Sequence, residues 1–310
     1  MAEYKLLNYA DDNGRAHPGL AVDENVIDLQ LAVKIYEEKG AMAGFSPSTT
    51  LSVLEDWDAA EPVLEAIAEA GDGVTNTLGQ TKLMAPLLYP NAIFNAAANY
   101  ADHHAEMGNA DAVDKTKAKP YFFLKSPAHT VIGPGDEVRI PHVTEQVDWE
   151  CELGVVIGRY GRNMTQTNAR SIVAGYTIFN DLSARDLGRR EDWPQFRSDW
   201  FGQKSFECAA PMGPWIVPAK QIADPYACKL DLWVNDDHMQ DAVASQLIFN
   251  IEEQIEYLSA RMTLRPGDLI ATGTPSGVGR PRGIFLQPGD TVRLTISGIG
   301  ELSNPIVKGE

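Results

Sequence analysis

The sequence predicts a β-rich α+β fold, with a small α+β unit over residues 1–85 and a strand-rich body over residues 86–310. Three observations carry that expectation. Pro-Gly-Asp occurs at 134–136, 266–268 and 288–290, each copy just ahead of a strand-like run at 137–140, 269–272 and 291–296. In such turns Pro pre-sets the second position and Gly supplies the positive φ of the third. The body also lacks the regular βα alternation of a Rossmann fold or TIM barrel, and the first 85 residues read as a hairpin followed by two helices.

The hairpin comes from strand-like runs at 4–9 and 20–22 around the turn Asp11-Asp12-Asn13-Gly14, a strong short-range signal for chain reversal. A helix is expected over 29–38, ending at Gly40. A second passes through Val63, Leu64 and Ile67, with Pro62 near its start and Gly71 at its end, which follows the usual Pro-first, Gly-last asymmetry. Pro86 and Pro90 mark the boundary to the body. There the main helix starts at Asn250 with Glu253 three residues on, and it carries apolar Ile251, Ile255 and Leu258 at helical spacing.

Composition narrows the function classes. The 310 residues are 44% hydrophobic and 22% charged, ordinary for a globular chain with a sizeable core. A formal charge of −17 argues against a nucleic-acid partner. The N-terminus lacks a secretion signal and no stretch has the apolar length of a membrane span, so a cytoplasmic protein with no membrane partner is expected. Cys151, Cys208 and Cys228 are widely separated, which predicts reduced core residues and not a disulfide framework or zinc knuckle.

Glu150 and Glu152 stand two apart in a run of strand character, so their side chains share one face at roughly 7 Å. Two like charges that close call for a cation, and oxygen-only ligands favour a hard ion such as Mg²⁺, with Mn²⁺ or Ca²⁺ as alternatives. Taken alone the pair also reads as a solvated acidic strand face, and Asp148 shares its parity. Asp181 directly follows an apolar run, where a carboxylate reaches a pocket or simply caps a helix.

Five segments, in order, make the pattern specific: NYADHHAEM (99–107), DWECELGVVIG (148–158), GYTIFNDLSARD (175–186), KSFECAAPMGPWIVP (204–218) and LIATGTPSGVG (269–279). Together they resemble the fumarylacetoacetate hydrolase family over roughly residues 90 to 305. The resemblance implies a mixed β-sandwich roll preceded by a variable N-terminal extension, a homodimer, and a metal held by the residues matching Glu150, Glu152 and Asp181.

His103 and Glu106 are three apart, so on a helical turn they share a face, where a carboxylate raises the basicity of an imidazole and orients it. An isolated pair of this kind also reads as a surface contact. The resemblance implies that the residues matching these two form a water-activating dyad on a lid, with His104 as a neighbouring decoy. It also implies that Lys204 lies beside the metal, where its ammonium stabilises an oxyanion. Arg185 is expected to orient the metal site or substrate, Thr274 in the Thr-Gly-Thr-Pro loop to bind a substrate carboxylate, and Lys125 to share that task.

The expected activity is metal-dependent hydrolytic cleavage of a C–C bond in a small anionic 2,4-dioxo acid: an acylpyruvate, fumarylpyruvate or a diketo sugar acid. Pyruvate or a relative and a carboxylic acid would be released. Two alternatives stand beside it: a decarboxylase or isomerase of a 2-oxo acid of the oxaloacetate or hydroxymuconate type, and a non-catalytic oxo-acid binding module. Gly188 stands where some relatives carry a substrate-positioning glutamine. Segment 108–119 is longer than in compact relatives, and Arg189, Arg190 and Arg197 lie in the loop after Asp181, where a second substrate carboxylate could meet them.

Overall fold

The computed structural model describes residues 2–108, 113–193 and 195–309. It is a strand-rich α+β molecule. Its largest sheet has twelve strands among the described residues, and a second has five. The inserted segment noted at 108–119 lies partly outside the described residues, at positions 109–112.

The N-terminal hairpin pairs strands Lys5–Ala10 and Ala16–Val22 in antiparallel register. The Asp11 carboxylate accepts from the backbone N–H of Asn13 and Arg15, both at 2.8 Å, and Gly14 takes φ +77°. This unit does not stand apart. Lys5–Ala10 also pairs with strand Ala210–Pro218, with Leu6 opposite Ile216, and thereby extends the large sheet.

Helix Leu29–Glu38 forms as expected, capped by Asp28. The second helix differs: it begins at Trp57 and runs to Ala70, so Pro62 sits inside it. Burial of Trp57, Ala60, Val63 and Leu64 on one face offsets the hydrogen bond that proline cannot donate. A further short helix, Thr50–Glu55, was not evident from the pattern.

The three Pro-Gly-Asp copies build one repeated turn. Gly135, Gly267 and Gly289 take φ of +75°, +81° and +103°. The carboxylates of Asp136, Asp268 and Asp290 each accept the N–H three residues earlier, at 2.9, 2.7 and 2.7 Å. Strands Val138–Ile140, Leu269–Ala271 and Thr291–Ile296 follow. Helix Ile251–Ser259 starts with the Asn250–Glu253 capping box.

The strand that positions the site is Cys151–Ile157, buried along its whole length. It pairs with Val173–Asn180 on one side and Leu269–Ala271 on the other. Cys151, Leu153, Val155 and Ile157 pack toward the five-stranded sheet, against Leu230, Leu232 and Leu294. Val156 packs the opposite way, with Trp57 and Ala60. Alternation therefore puts Glu152 on the face opposite the inter-sheet core, near the start of the strand. Among the described residues no helix is long and apolar enough to cross a membrane. Cys151 and Cys228 are buried free thiols, whereas Cys208 is half-buried, so only two of the three are core residues.

Candidate active site

Glu150, Glu152 and Asp181 come together. Each offers a carboxylate oxygen, all within 4.8 Å of one another, and all three residues are buried. The register explains it: Cys151 lies opposite Asn180, so Glu150 and Asp181 flank one paired rung, and the Asp181 N–H donates to the Glu150 carbonyl at 2.9 Å. The side-chain oxygen of Asn180 accepts from the Glu150 N–H at 3.1 Å and holds that corner in place.

Three cations surround the carboxylates. Lys204, from helix Trp200–Lys204, donates to Glu150 Oε2 at 2.7 Å and Asp181 Oδ2 at 2.9 Å. Arg185 forks to Asp148 at 2.8 Å and Glu150 Oε1 at 2.7 Å. Lys125 donates to Asp181 and to the Leu182 carbonyl. Asp148 is therefore the counter-ion of Arg185, with Gly279 and Arg280 N–H groups completing its shell at 2.7 and 3.1 Å; its shared parity with the Glu pair does not make it a fourth member of the triad.

The electrostatics divide the triad. Burial pushes the Glu150 carboxyl up, but Lys204, Arg185 and His103 outweigh it and hold the group well below the usual carboxylate range. Burial, then Asp181 and Glu150, push Glu152 well above it, opposed by the Gly273 N–H, which donates at 2.7 Å. Burial lowers Lys125 to about 8 against the pull of Asp181. For Lys204, Asp181 and Glu150 outweigh burial and raise it.

This donor set fits a hard divalent cation. Its ligands are carboxylate oxygens alone, and Glu152 is the one member with no side-chain cation against it. With Glu152 ionised, Asp148, Glu150, Glu152 and Asp181 against Lys125, Arg185 and Lys204 make four negative and three positive charges. A divalent ion turns that balance positive, which suits an anionic ligand.

Above the cluster lies a cavity of ≈ 420 Å³, the size of a small-molecule site. His103, 6% exposed, lines it from the short helix Ala101–Glu106. Its Nδ1 lies 2.8 Å from Glu106 Oε1. A carboxylate only accepts, so Nδ1 carries the proton and Nε2 is the basic nitrogen. Two latches hold this helix against the Thr-Gly-Thr-Pro loop: Ser276 Oγ donates to Asp102 at 2.7 Å and the Gly277 N–H to Glu106 Oε2 at 2.9 Å. His104 is absent from the cavity wall, and its Nδ1 is buried without a partner. Phe123 and Trp200 stack at 4.6 Å on another wall, with Lys204 Nζ 4.9 Å from the Phe123 ring.

Lys125 and Thr274 stand differently toward the cavity. Lys125 does not reach the cavity wall; its ammonium is fully buried against Asp181, so it balances charge and is not available to a substrate carboxylate. Thr274 does line the cavity, but its hydroxyl donates to the Cys151 carbonyl at 3.0 Å and accepts from Gln240 at 2.9 Å, which ties the loop to the strand. Arg189 and Arg197 reach the cavity, joined by Arg280, whereas Arg190 turns away to Asp192 and Asp199. Gln203, Gln240, Trp200 and Arg280 were not anticipated. Only Gln203 had a local signal, its place beside Lys204.

Residues 92–307 match the family model of the fumarylacetoacetate (FAA) hydrolase C-terminal domain. Oxaloacetate tautomerase YisK of Bacillus subtilis (strain 168) is 39% identical over 306 residues, covering 94% of this chain and 96% of the relative. The mitochondrial oxaloacetate tautomerase fahd2 of Xenopus laevis is 36% identical over 267 residues, 85% of this chain and 81% of its own. Among solved structures, maleylpyruvate hydrolase from Sphingobium sp. SYK-6, in complex with manganese(II) ion and pyruvate, superposes with a TM-score of 0.75 at 30% identity, over 99% of this chain and all of the other.

Proposed function

This chain belongs to the fumarylacetoacetate hydrolase family, and we propose that within it the protein is a metal-dependent tautomerase of a small 2-oxo dicarboxylic acid of the oxaloacetate class. The observation that carries this reading is the similarity to an oxaloacetate tautomerase over 94% of the chain, joined to a cavity that pairs a carboxylate triad with a carboxylate-oriented imidazole. The catalytic part is assigned to residues 86–310, which contain the matched segment and every residue of the site.

Glu150, Glu152 and Asp181 would hold the ion, Mg²⁺ or Mn²⁺. When bound, it supplies Lewis-acid polarisation of the 2-oxo group. His103 Nε2 takes a proton from the carbon between the two carbonyl groups and delivers it to the 2-oxo oxygen to give the enol, the reverse transfer giving the keto form, and Glu106 stabilises the imidazolium formed in between. Lys204, raised above its ordinary value, stays charged and offsets the negative charge that develops on the 2-oxo oxygen. Arg189, Arg197 and Arg280 face the far carboxylate; among the described residues no carboxylate pairs with their guanidinium groups.

Hydrolytic C–C cleavage is the second reading. It is favoured by the same His103–Glu106 pair acting on water and by the likeness to a maleylpyruvate hydrolase. Homodimerisation belongs to the proposal too: Tyr121, Leu124 and Phe201 are each more than half exposed, around the outermost strand Phe122–Lys125.

The test follows the enol absorbance of oxaloacetate with Mg²⁺ or EDTA, in parallel with pyruvate release from acylpyruvates. We expect metal-dependent tautomerisation that falls roughly 10²- to 10⁴-fold in His103→Gln, the usual contribution of a general base. Acylpyruvate cleavage outrunning tautomerisation would move the assignment to the hydrolase.

A further inference from the structure

Gly188 is a glycine for which the backbone has no need. It follows the turn Arg185–Leu187 with φ −73° and ψ −6°, a conformation open to every L-residue. What a side chain lacks there is space. A Cβ at Gly188 would lie 2.4 Å from Gln203 Oε1 and 2.9 Å from Gln203 Cδ, well inside contact distance. The carboxamide of Gln203 thus fills the volume that any other residue at 188 would occupy.

That placement is held by its surroundings. The Gly188 carbonyl accepts from the Asp199 N–H at 3.0 Å, and the Asp199 carbonyl accepts from the Gln203 N–H at 3.1 Å. The Asp199 carboxylate caps the helix that carries Gln203, accepting from the Gly202 N–H at 2.8 Å. Both residues line the cavity. Gln203 adjoins Lys204, which touches the triad, and Gly188 adjoins Arg189 on the rim. The Gln203 side chain therefore lines the same cavity as Glu150, Glu152, Arg189 and Arg197.

Its hydrogen-bonding capacity is unused. Gln203 is 9% exposed, and no protein group among the described residues bonds its carboxamide. The amide is therefore free to bond whatever occupies the cavity, since no protein group competes for it. The unpartnered buried groups of Tyr4 and Asn95, by contrast, do not face this cavity.

We propose that Gln203 is a specificity-determining residue whose carboxamide N–H donates to an anionic oxygen of the bound oxo acid, in a slot that exists because position 188 carries no side chain. This rests on the oxo-acid reading above. The amide lies among cations and carries no charge, so it adds direction to substrate binding where Arg189 and Arg197 add attraction.

The experiment is steady-state turnover of oxaloacetate by the Mn²⁺-loaded full chain, with Mn²⁺ affinity measured by calorimetry and melting temperature measured with and without oxaloacetate. Gln203→Ala is expected to lose roughly 10- to 100-fold in kcat/KM, mainly through KM, the scale of a hydrogen bond to a charged group. Gln203→Glu, nearly the same shape, loses more than Gln203→Ala because a carboxylate then faces an anion. Gly188→Ala displaces the amide and loses about as much as Gln203→Ala. In the double variant the two losses do not add, because the new methyl displaces an amide that is no longer there. Mn²⁺ affinity and ligand-free melting temperature stay at wild-type values, while the melting shift caused by oxaloacetate shrinks.

If Gln203→Glu keeps wild-type kcat/KM, or the two losses multiply in the double variant, Gln203 is packing and the proposal is wrong. If the wild-type protein neither turns over oxaloacetate nor is stabilised by it, the oxo-acid reading fails and this proposal fails with it.

Discussion

Among the described residues, two groups of three side chains of a kind that can hold a metal ion have ligand atoms within 4.8 Å of one another: Glu150, Glu152 and Asp181 at the large sheet, and Asp231, His238 and Asp241 on paired strands of the five-stranded one. By proximity they are equals. In surroundings they are opposites. The first is buried throughout, with Glu150 and Glu152 lining the cavity; in the second, His238 and Asp241 are exposed. Lys229 lies 2.9 Å from Asp231 and 3.2 Å from Asp241, and His238, stacked on Trp233 at 4.6 Å, gives its Nε2 to Asp231 at 2.8 Å.

The difference teaches that closeness of ligands is a weak criterion. Solvent screens an exposed acidic group and a mobile lysine neutralises it. A buried carboxylate such as Glu152 has neither remedy, and its charged form is disfavoured until a cation arrives. The first group is therefore read as a metal centre and the second as a solvated surface network.

The largest expected effect sets the two groups against each other. Glu152→Gln removes the one triad carboxylate with no side-chain cation against it and should weaken Mn²⁺ binding by more than ~100-fold, beyond the range typical of losing an outer-shell partner. Asp241→Asn should leave the affinity within about twofold. Calorimetric titration of both variants decides it: a weakened Asp241→Asn protein breaks the distinction.

A smaller effect probes what stands behind the ligands. Arg185→Lys keeps the charge but loses the planar fork that joins Asp148 to Glu150, and the two groups are not interchangeable at such a site. Mn²⁺ affinity should fall roughly 10- to 100-fold. The matching change at the exposed group, Lys229→Met, should leave Mn²⁺ affinity unaltered. Equal responses would mean that burial does not separate the two groups.

How much of this was legible follows the range of the signal. The Asp11–Gly14 turn, the repeated Pro-Gly-Asp turns and the Asn250–Glu253 capping box close within a few residues, so their residue types suffice to find them. Helix Thr50–Glu55 uses Ser52 in place of the usual Glu or Gln in its capping box and gives no such signal. Glu150 and Glu152 were visible because strand alternation is itself local. Lys204 and Arg185 stand against the triad, in keeping with the resemblance, but the demand for an ion inferred from two like charges does not count how far Lys125, Arg185 and Lys204, brought from three other segments, already neutralise it. Lys125 was assigned to substrate for the same reason, since only the fold buries its ammonium against Asp181. The fit of Gln203 against Gly188 depends on two segments meeting, which no spacing encodes.

Asp268 sharpens the comparison from a third direction, as a buried carboxylate with neither a metal role nor an exposed network. It closes the second Pro-Gly-Asp turn, 4% exposed. Burial raises its carboxyl to about 6, with the Arg265 N–H opposing. An unfolded aspartate titrates near ~3.9. At pH below ~3 both states are protonated and the native state keeps its full advantage; as pH rises through ~4 toward ~6 the unfolded carboxyl ionises while the native one holds its proton, so stability falls, and it levels off above ~7. Between pH 5 and 7 the loss is about 1.4 kcal/mol, close to one pKa unit of linkage. Asp268→Asn removes the titration and keeps an acceptor for the Arg265 N–H. Urea unfolding of both proteins across this range should show the wild-type-minus-variant difference falling by that amount from pH 5 to 7. A flat difference would mean that the turn stabilises the ionised carboxylate as well as water does, and that burial alone does not mark Glu152 as a group waiting for a cation.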